Sequence, residues 1–254
     1  MLAADVMAAP NSGSLLKLDG QLAPGEVHAW LARLALDEAA IDRFRSLLNP
    51  EERERAARFK VASAEKEFIA SHGILRVVLG KYLAIEAVQV RFRSGSHGKL
   101  ELVGDSAVHF NLSHTEGLAA IAVTRVGAVG IDVERMRDEA DILVLAERFF
   151  SKKEAAWVRA QAGRERVAAF FSCWTAKEAY VKARGGGLSI PLDGFAVIPD
   201  REALGVELEI FADAAEAKRW SLSRLELPEE FRGAAAVEGA GSRVRVGWLP
   251  VAEL

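Results

Sequence analysis

Gly130-Ile131-Asp132-Val133-Glu134 is the stretch on which the rest of the chain turns. An apolar run with Asp132 and Glu134 two apart reads as a strand carrying both acids on one face. Downstream stands Trp174-Thr175-Ala176-Lys177-Glu178-Ala179-Tyr180-Val181-Lys182, helical in its spacing and stopped by Gly185-Gly186-Gly187. The two segments offer three carboxylates (Asp132, Glu134, Glu178) and two ammonium groups (Lys177, Lys182). That set suits a hard divalent cation with an anionic substrate, Mg²⁺ and a pyrophosphate being the obvious pairing. Each part alone has a plainer explanation. A strand with one wet face carries acids without any ligand, and lysines near a glutamate are ordinary on a helix surface.

Working outward, 26–36 reads as a strand with Trp30 as an inward anchor, and Asp37 as the cap of a helix to about Leu48. Asn49-Pro50-Glu51-Glu52 is a helix start, with proline at the first helical position and acids in the first turn. Apolar spacing predicts a long amphipathic helix over 63–83. Short strands follow near 89–93, 99–102, 107–112, 118–124 and 129–134. Helices resume at about 140–149, 151–162 and 165–184, and the remainder is mostly β, near 194–198, 205–211, 219–226, 232–237 and 243–248. The order predicts an α+β fold of two similar halves joined near 125–130. The expected division is a loose leader 1–23, an N-terminal half 24–126 and a C-terminal half 127–254.

The chain has 254 residues, half of them hydrophobic, enough for a sizeable core in one or two domains. A net charge of −3 argues against general nucleic-acid binding. One cysteine, Cys173, excludes an internal disulfide and a cysteine metal cluster; its apolar neighbours predict burial. No apolar run approaches the roughly 20 residues that span a bilayer, and 1–10 does not read as a secretory signal. The expectation is a soluble cytosolic protein.

Three further stretches carry polar chemistry. Phe110-Asn111-Leu112-Ser113-His114-Thr115 ends a strand in groups able to hold phosphate oxygens, or to satisfy their own turn. Gly95-Ser96-His97-Gly98-Lys99 is a basic loop or a plain hairpin turn. In Ser151-Lys152-Lys153-Glu154 the acid fits either a capping box or a catalytic role. His28, His72, His97 and His109 lack metal-ligand spacing and read as structural or exposed.

In combination and in order these motifs resemble the 4′-phosphopantetheinyl transferases of the monomeric, surfactin-synthetase-activating (Sfp) type. The likeness rests on Gly98-Lys99, Phe110 to His114, Gly130 to Glu134, Arg148-Phe149-Phe150-Ser151-Lys152-Lys153-Glu154, and Trp174-x-x-Lys177-Glu178-Ala179-x-x-Lys182-x-x-Gly185-x-Gly187-Leu188. It is convincing over 26–198. It implies two similar α+β halves with the active site between them. The implied reaction moves the phosphopantetheine arm of coenzyme A onto a serine of an apo carrier protein and releases adenosine 3′,5′-bisphosphate. By the same resemblance Asp132, Glu134 and Glu178 hold Mg²⁺, and Lys177 and Lys182 neutralise phosphate oxygens. Glu154 or Glu178 deprotonates the serine. Ser113, His114 and Arg55 lie at the adenosine 3′-phosphate, and Lys99 along the adenine. Close relatives carry lysine where Glu52 stands here. An inactive carrier-binding module and a Mg²⁺-dependent nucleotide hydrolase are the competing readings.

Overall fold

The same run of elements occurs twice, the second time with one short extra helix. The chain first forms β1 (Glu26–Arg33), α1 (Glu38–Leu47), α2 (Pro50–Ala56), α3 (Ala62–Leu83), β2 (Phe92–Ser94), β3 (Leu100–Leu102), β4 (His109–Thr115) and β5 (Leu118–Thr124). It then forms β6 (Val129–Arg135), α4 (Ile142–Phe149), α5 (Lys152–Arg159), α6 (Gly163–Arg184), β7 (Phe195–Pro199), β8 (Gly205–Ile210), the one-turn α7 (Ala214–Ala217), β9 (Trp220–Arg224) and β10 (Phe231–Glu238). In each run the first strand pairs antiparallel with the last, β1 with β5 and β6 with β10. The computed structural model describes residues 16–95, 98–138, 141–199 and 203–254. The α+β architecture of two similar halves, expected from the order of elements, is the one observed.

Local chemistry sets the helix starts. Asp37 accepts from the Ala40 amide, Asn49 and Glu52 form a capping box behind Pro50, and Ser151 and Glu154 form another. Each cap satisfies amides that the helix leaves open and is worth about 1 kcal/mol. Both long helices end at a left-handed residue, Ala84 after α3 and Gly185 after α6.

Three cores result. One lies under α3 and includes Trp30, Phe44, Ile74 and Leu79. A second lies under α6 and includes Phe170, Tyr180, Phe195 and Trp220. The third joins the halves, with Ala29, Leu31 and Ala120 of the first facing Ile131, Val133 and Ala235 of the second. Cys173 is fully buried, and burial raises its thiol pKa, as its apolar neighbours predict.

Two features depart from the sequence reading. The final strand β11 (Arg243–Trp248) pairs parallel with β1, so the first sheet runs β11-β1-β5-β4. Leu249 and Val251 follow it into the first core, and 243–254 therefore packs on the N-terminal half. Of the expected leader, 1–15 lie outside the described residues; Leu16, Leu18 and Leu22 pack against the first core rather than hanging loose.

Where the halves meet, β4 and β6 run side by side in different sheets. Side chains take the place of a ladder. The amides of Ile131, Val133 and Arg135 donate to Asn111 Oδ1 (2.9 Å), Ser113 Oγ (3.4 Å) and Thr115 Oγ1 (3.3 Å). Alternate residues of β4 thus satisfy alternate amides of β6.

Candidate active site

Gly130 brings the site together. A Cβ there would lie 2.1 Å from the Ala179 carbonyl oxygen and 2.4 Å from the Ala183 amide. Only glycine lets α6 press its backbone onto β6. Glu178 and Lys182, one helical turn apart, then share a face of α6 beside Asp132. Lys182 Nζ lies 2.6 Å from Asp132 Oδ1 and 3.1 Å from Ser113 Oγ. Ser113 donates to the same Oδ1 at 3.0 Å. Asp132 is 4% exposed, and its other oxygen, Oδ2, is buried with no partner among the described residues.

Above this floor a cavity of about 700 Å³ opens between the halves. The first half contributes Arg55, His72, Lys99 and His114; the second contributes Arg148, Lys182, Glu178 and Asp193. Two arginines, two lysines and two histidines face two acids in a chain that is acidic as a whole, a lining that suits an anion. Leu100, Phe110, Phe149 and Ile190 supply apolar wall.

The carboxylates resist ionisation. Burial, then the charge of Asp132, raises the pKa of Glu178, and the same two causes in the same order raise that of Glu134. Such mutual repulsion, with an orphaned carboxylate oxygen in its midst, fits a hard cation. Among the described residues no three histidine, cysteine or acidic side chains converge closely enough to hold a metal unaided. Mg²⁺ does not require that: it commonly takes one or two carboxylates and completes its shell with water and substrate phosphates. Two of Asp132, Glu134 and Glu178 would supply those carboxylates.

The sign of the repulsion yields a prediction. A raised carboxylate stabilises the fold below its ordinary value of 4.5, and that stability is lost as pH rises through the folded pKa. The metal-free wild type therefore carries a penalty at neutral pH. Glu178→Gln is expected to raise the Tm of metal-free protein at pH 7.5, by about 2–4 °C per kcal/mol of repulsion removed. The gain should vanish toward pH 4.5. A melting series against pH checks this, and equal Tm values throughout would refute it.

The remaining expected residues divide. Arg55 lines the cavity, its guanidinium 5.2 Å from the Phe68 ring centroid, with no ion pair among the described residues. Glu52 does not compete for it. That carboxylate takes Arg76 at 2.7 and 3.0 Å and His72 Nδ1 at 3.2 Å. His114 reaches the cavity, its pKa lowered by burial and then by His72, Lys182 and Arg55. Lys99 also lines it, but Nζ is tethered to the carbonyls of Val129 (3.0 Å) and Lys182 (2.7 Å), and burial brings its pKa down to about 8.

Ser113 needs correction: it is 7% exposed and is not among the residues lining the cavity, its hydroxyl bonded to Asp132 and Lys182 rather than reaching for a 3′-phosphate. Glu154 and Lys177 need a larger one. Lys177 Nζ and Glu154 Oε2 are 2.9 Å apart, with both side chains at most 1% exposed. Lys177 also donates to the carbonyls of Leu192 and Phe195, each at 2.7 Å. Glu154 accepts from the Ser151 and Val197 amides, each at 2.8 Å. Their hydrogen bonds are spent in the core, so Glu154 is not placed to take a substrate proton, nor Lys177 to reach a phosphate. Helical geometry held the clue: Lys177 is about 100° round the helix from Glu178.

His72, Arg148 and Asp193 are cavity residues that motif reading did not assign. His72 sits in an apolar helix pattern and read as structural. Arg148 stood in a quoted motif, four residues before Lys152, without a role.

Comparison with known proteins agrees with the layout. Residues 37–126 match the family model "4′-phosphopantetheinyl transferase, N-terminal", and 128–236 match the 4′-phosphopantetheinyl transferase superfamily. The 4′-phosphopantetheinyl transferase HetI of Nostoc sp. is 38% identical over 229 residues, 89% of this chain and 90% of that one. A putative 4′-phosphopantetheinyl transferase of Synechocystis sp., slr0495, is 31% identical over 76% of this chain and 77% of its own length. The 4′-phosphopantetheinyl transferase Sfp of Bacillus subtilis is 32% identical over 64% of this chain and 71% of its own. With both halves matched and nearly its whole length shared with one relative, the chain belongs to the 4′-phosphopantetheinyl transferase superfamily.

Proposed function

We propose that this transferase seats coenzyme A in the cleft between its halves, with Mg²⁺ at Asp132, Glu134 and Glu178. It moves the 4′-phosphopantetheine group to a serine of an apo carrier protein and releases adenosine 3′,5′-bisphosphate. The observation that carries this is the basic cleft lined by Glu178 and Lys182, with Lys182 bonded to Asp132, whose Oδ2 has no hydrogen-bond partner among the described residues.

The serine oxygen forms a bond to the phosphorus bearing pantetheine, and the phosphoanhydride bond to the departing phosphate breaks. Mg²⁺ held by these carboxylates would supply neutralisation of the charge on the departing phosphate. Lys182, fixed by Asp132 and Ser113, adds a positive charge at a set position with no reorganisation to make. Glu178 takes the serine proton: it faces the cavity on the same face of α6 as Lys182. Arg55 and His114 hold the adenosine 3′-phosphate, and the apolar wall takes the uncharged parts of the substrate.

Each half contributes cavity residues within one chain, so the site needs no second copy, which supports the monomer as the working unit. No described helix is long and apolar enough to cross a membrane. Incubation with coenzyme A and Mg²⁺, with and without apo carrier protein, tests the reading. Bisphosphate release that needs the carrier, with a matching carrier mass gain by mass spectrometry, is expected. Release without carrier would make the protein a hydrolase.

Arg55→Ala should raise the coenzyme A KM about 10-fold with little change in kcat. Charge-assisted bonds are worth about 1.5–3 kcal/mol, the lower figure applying to this exposed side chain. Dephospho-coenzyme A should show the same defect with the wild type and little further loss with the variant. Additive losses would mean that Arg55 does not touch the 3′-phosphate.

A further inference from the structure

The side chains that join the halves also grip the acids. Ser113 Oγ receives the Val133 amide at 3.4 Å and gives its proton to Asp132 Oδ1 at 3.0 Å. Two residues along, Thr115 Oγ1 receives the Arg135 amide and donates to Glu134 Oε2, both at 3.3 Å. Each hydroxyl of β4 thus ties one amide of β6 and the carboxylate of the residue before it. Lys182 Nζ adds a third bond to Ser113, at 3.1 Å. A hydroxyl has one proton and two lone pairs, so Ser113 is saturated.

We propose that Ser113, seconded by Thr115, is a positioning residue for the metal carboxylates. Ser113 and Lys182 together occupy Asp132 Oδ1, which leaves Oδ2, buried and without a hydrogen-bond partner among the described residues, as the oxygen a cation would take. Because Ser113 stands on β4 and Asp132 on β6, the grip exists only while the halves are docked. Parting the halves and losing the metal geometry are one event. Asn111 supplies the internal contrast: it takes the Ile131 amide in the same way but faces Gly130 in the pattern and touches no carboxylate.

This rests on the metal reading above, and the test separates the two. Mn²⁺ affinity is measured by electron paramagnetic resonance with coenzyme A present and no carrier, alongside Tm. Ser113→Ala should lose about 10-fold or more in Mn²⁺ affinity, the scale typical of groups that orient a ligand. Ser113→Thr, which keeps the hydroxyl, should restore it. Asn111→Ala should lower Tm while leaving Mn²⁺ affinity within about twofold. Thr115→Val should weaken Mn²⁺ several-fold, and it decides the matter should Ser113→Ala fail to fold. Wild-type Mn²⁺ affinity in both hydroxyl-free variants, with only Tm reduced, would overturn the positioning role. A wild type that binds no Mn²⁺ would overturn the metal reading and this inference with it.

Discussion

Asp132→Asn is expected to lower phosphopantetheine transfer by about 10²–10³-fold, the usual cost of removing one preorganised electrostatic group from a reacting centre. The substitution keeps shape and removes charge. Asp132 is almost fully buried and bonds Lys182 and Ser113 through one oxygen, while the other has no hydrogen-bond partner among the described residues. Without the charge, Lys182 loses its partner, and the proposed cation would lose a ligand. Glu134 and Glu178 meanwhile lose the neighbour whose charge raises their pKa. Activity and stability should therefore part company, with turnover collapsing while Tm stays level or rises. Carrier mass spectrometry over time, beside thermal melting, measures both. A variant within about threefold of the wild-type rate would remove Asp132 from the chemistry.

Lys177→Met should cost about 3–5 kcal/mol of stability, because it strands a buried carboxylate. The cost should fall on folding. Lys177 ties Glu154 of α5 to the carbonyls of Leu192 and Phe195, where the chain enters β7. Burial lowers the Lys177 pKa, with Glu154 opposing that shift. Replacing both partners by apolar residues should not rescue the fold, as it sometimes does for isolated ion pairs. Here four backbone groups, the Leu192 and Phe195 carbonyls and the Ser151 and Val197 amides, would be left unsatisfied. Urea unfolding should show a large drop in midpoint for Lys177→Met, Glu154→Gln and the double apolar variant alike. The folded fraction of Glu154→Gln should keep most of its turnover. A stable but inactive Glu154→Gln would return that carboxylate to the base role its motif suggested.

Much of this was legible in the sequence where chemistry is local. Asp37, Asn49-Pro50 and Ser151 mark helix starts because capping acts within one turn. Asp132 and Glu134 share a face because strands alternate. What could not be read was partnership across distance. Residues 243–248 announce a strand, yet nothing in their pattern says that β1 receives it, because strand pairing is chosen by which edge lies open. Ser151-x-x-Glu154 announces a cap, and the cap is there, but the buried cation beyond it comes from α6. His72 looked like a core histidine because it is one, packed on Phe68 with ring centroids 4.0 Å apart, and it also borders the cleft.

The returning C-terminal strand has a mechanical consequence. β1 and β11 are parallel over six residue pairs, from Glu26 opposite Arg243 to Leu31 opposite Trp248. A force applied between a handle just before β1 and another just after β11 would slide the two strands lengthwise. Every hydrogen bond between them would share the load, and none could be peeled in turn. The first half is thus clasped by the last strand in shear, the strong direction of a sheet, while β4 and β6 are held only by side chains. Stretched in this way, the molecule should resist as a single unit and then give in one step.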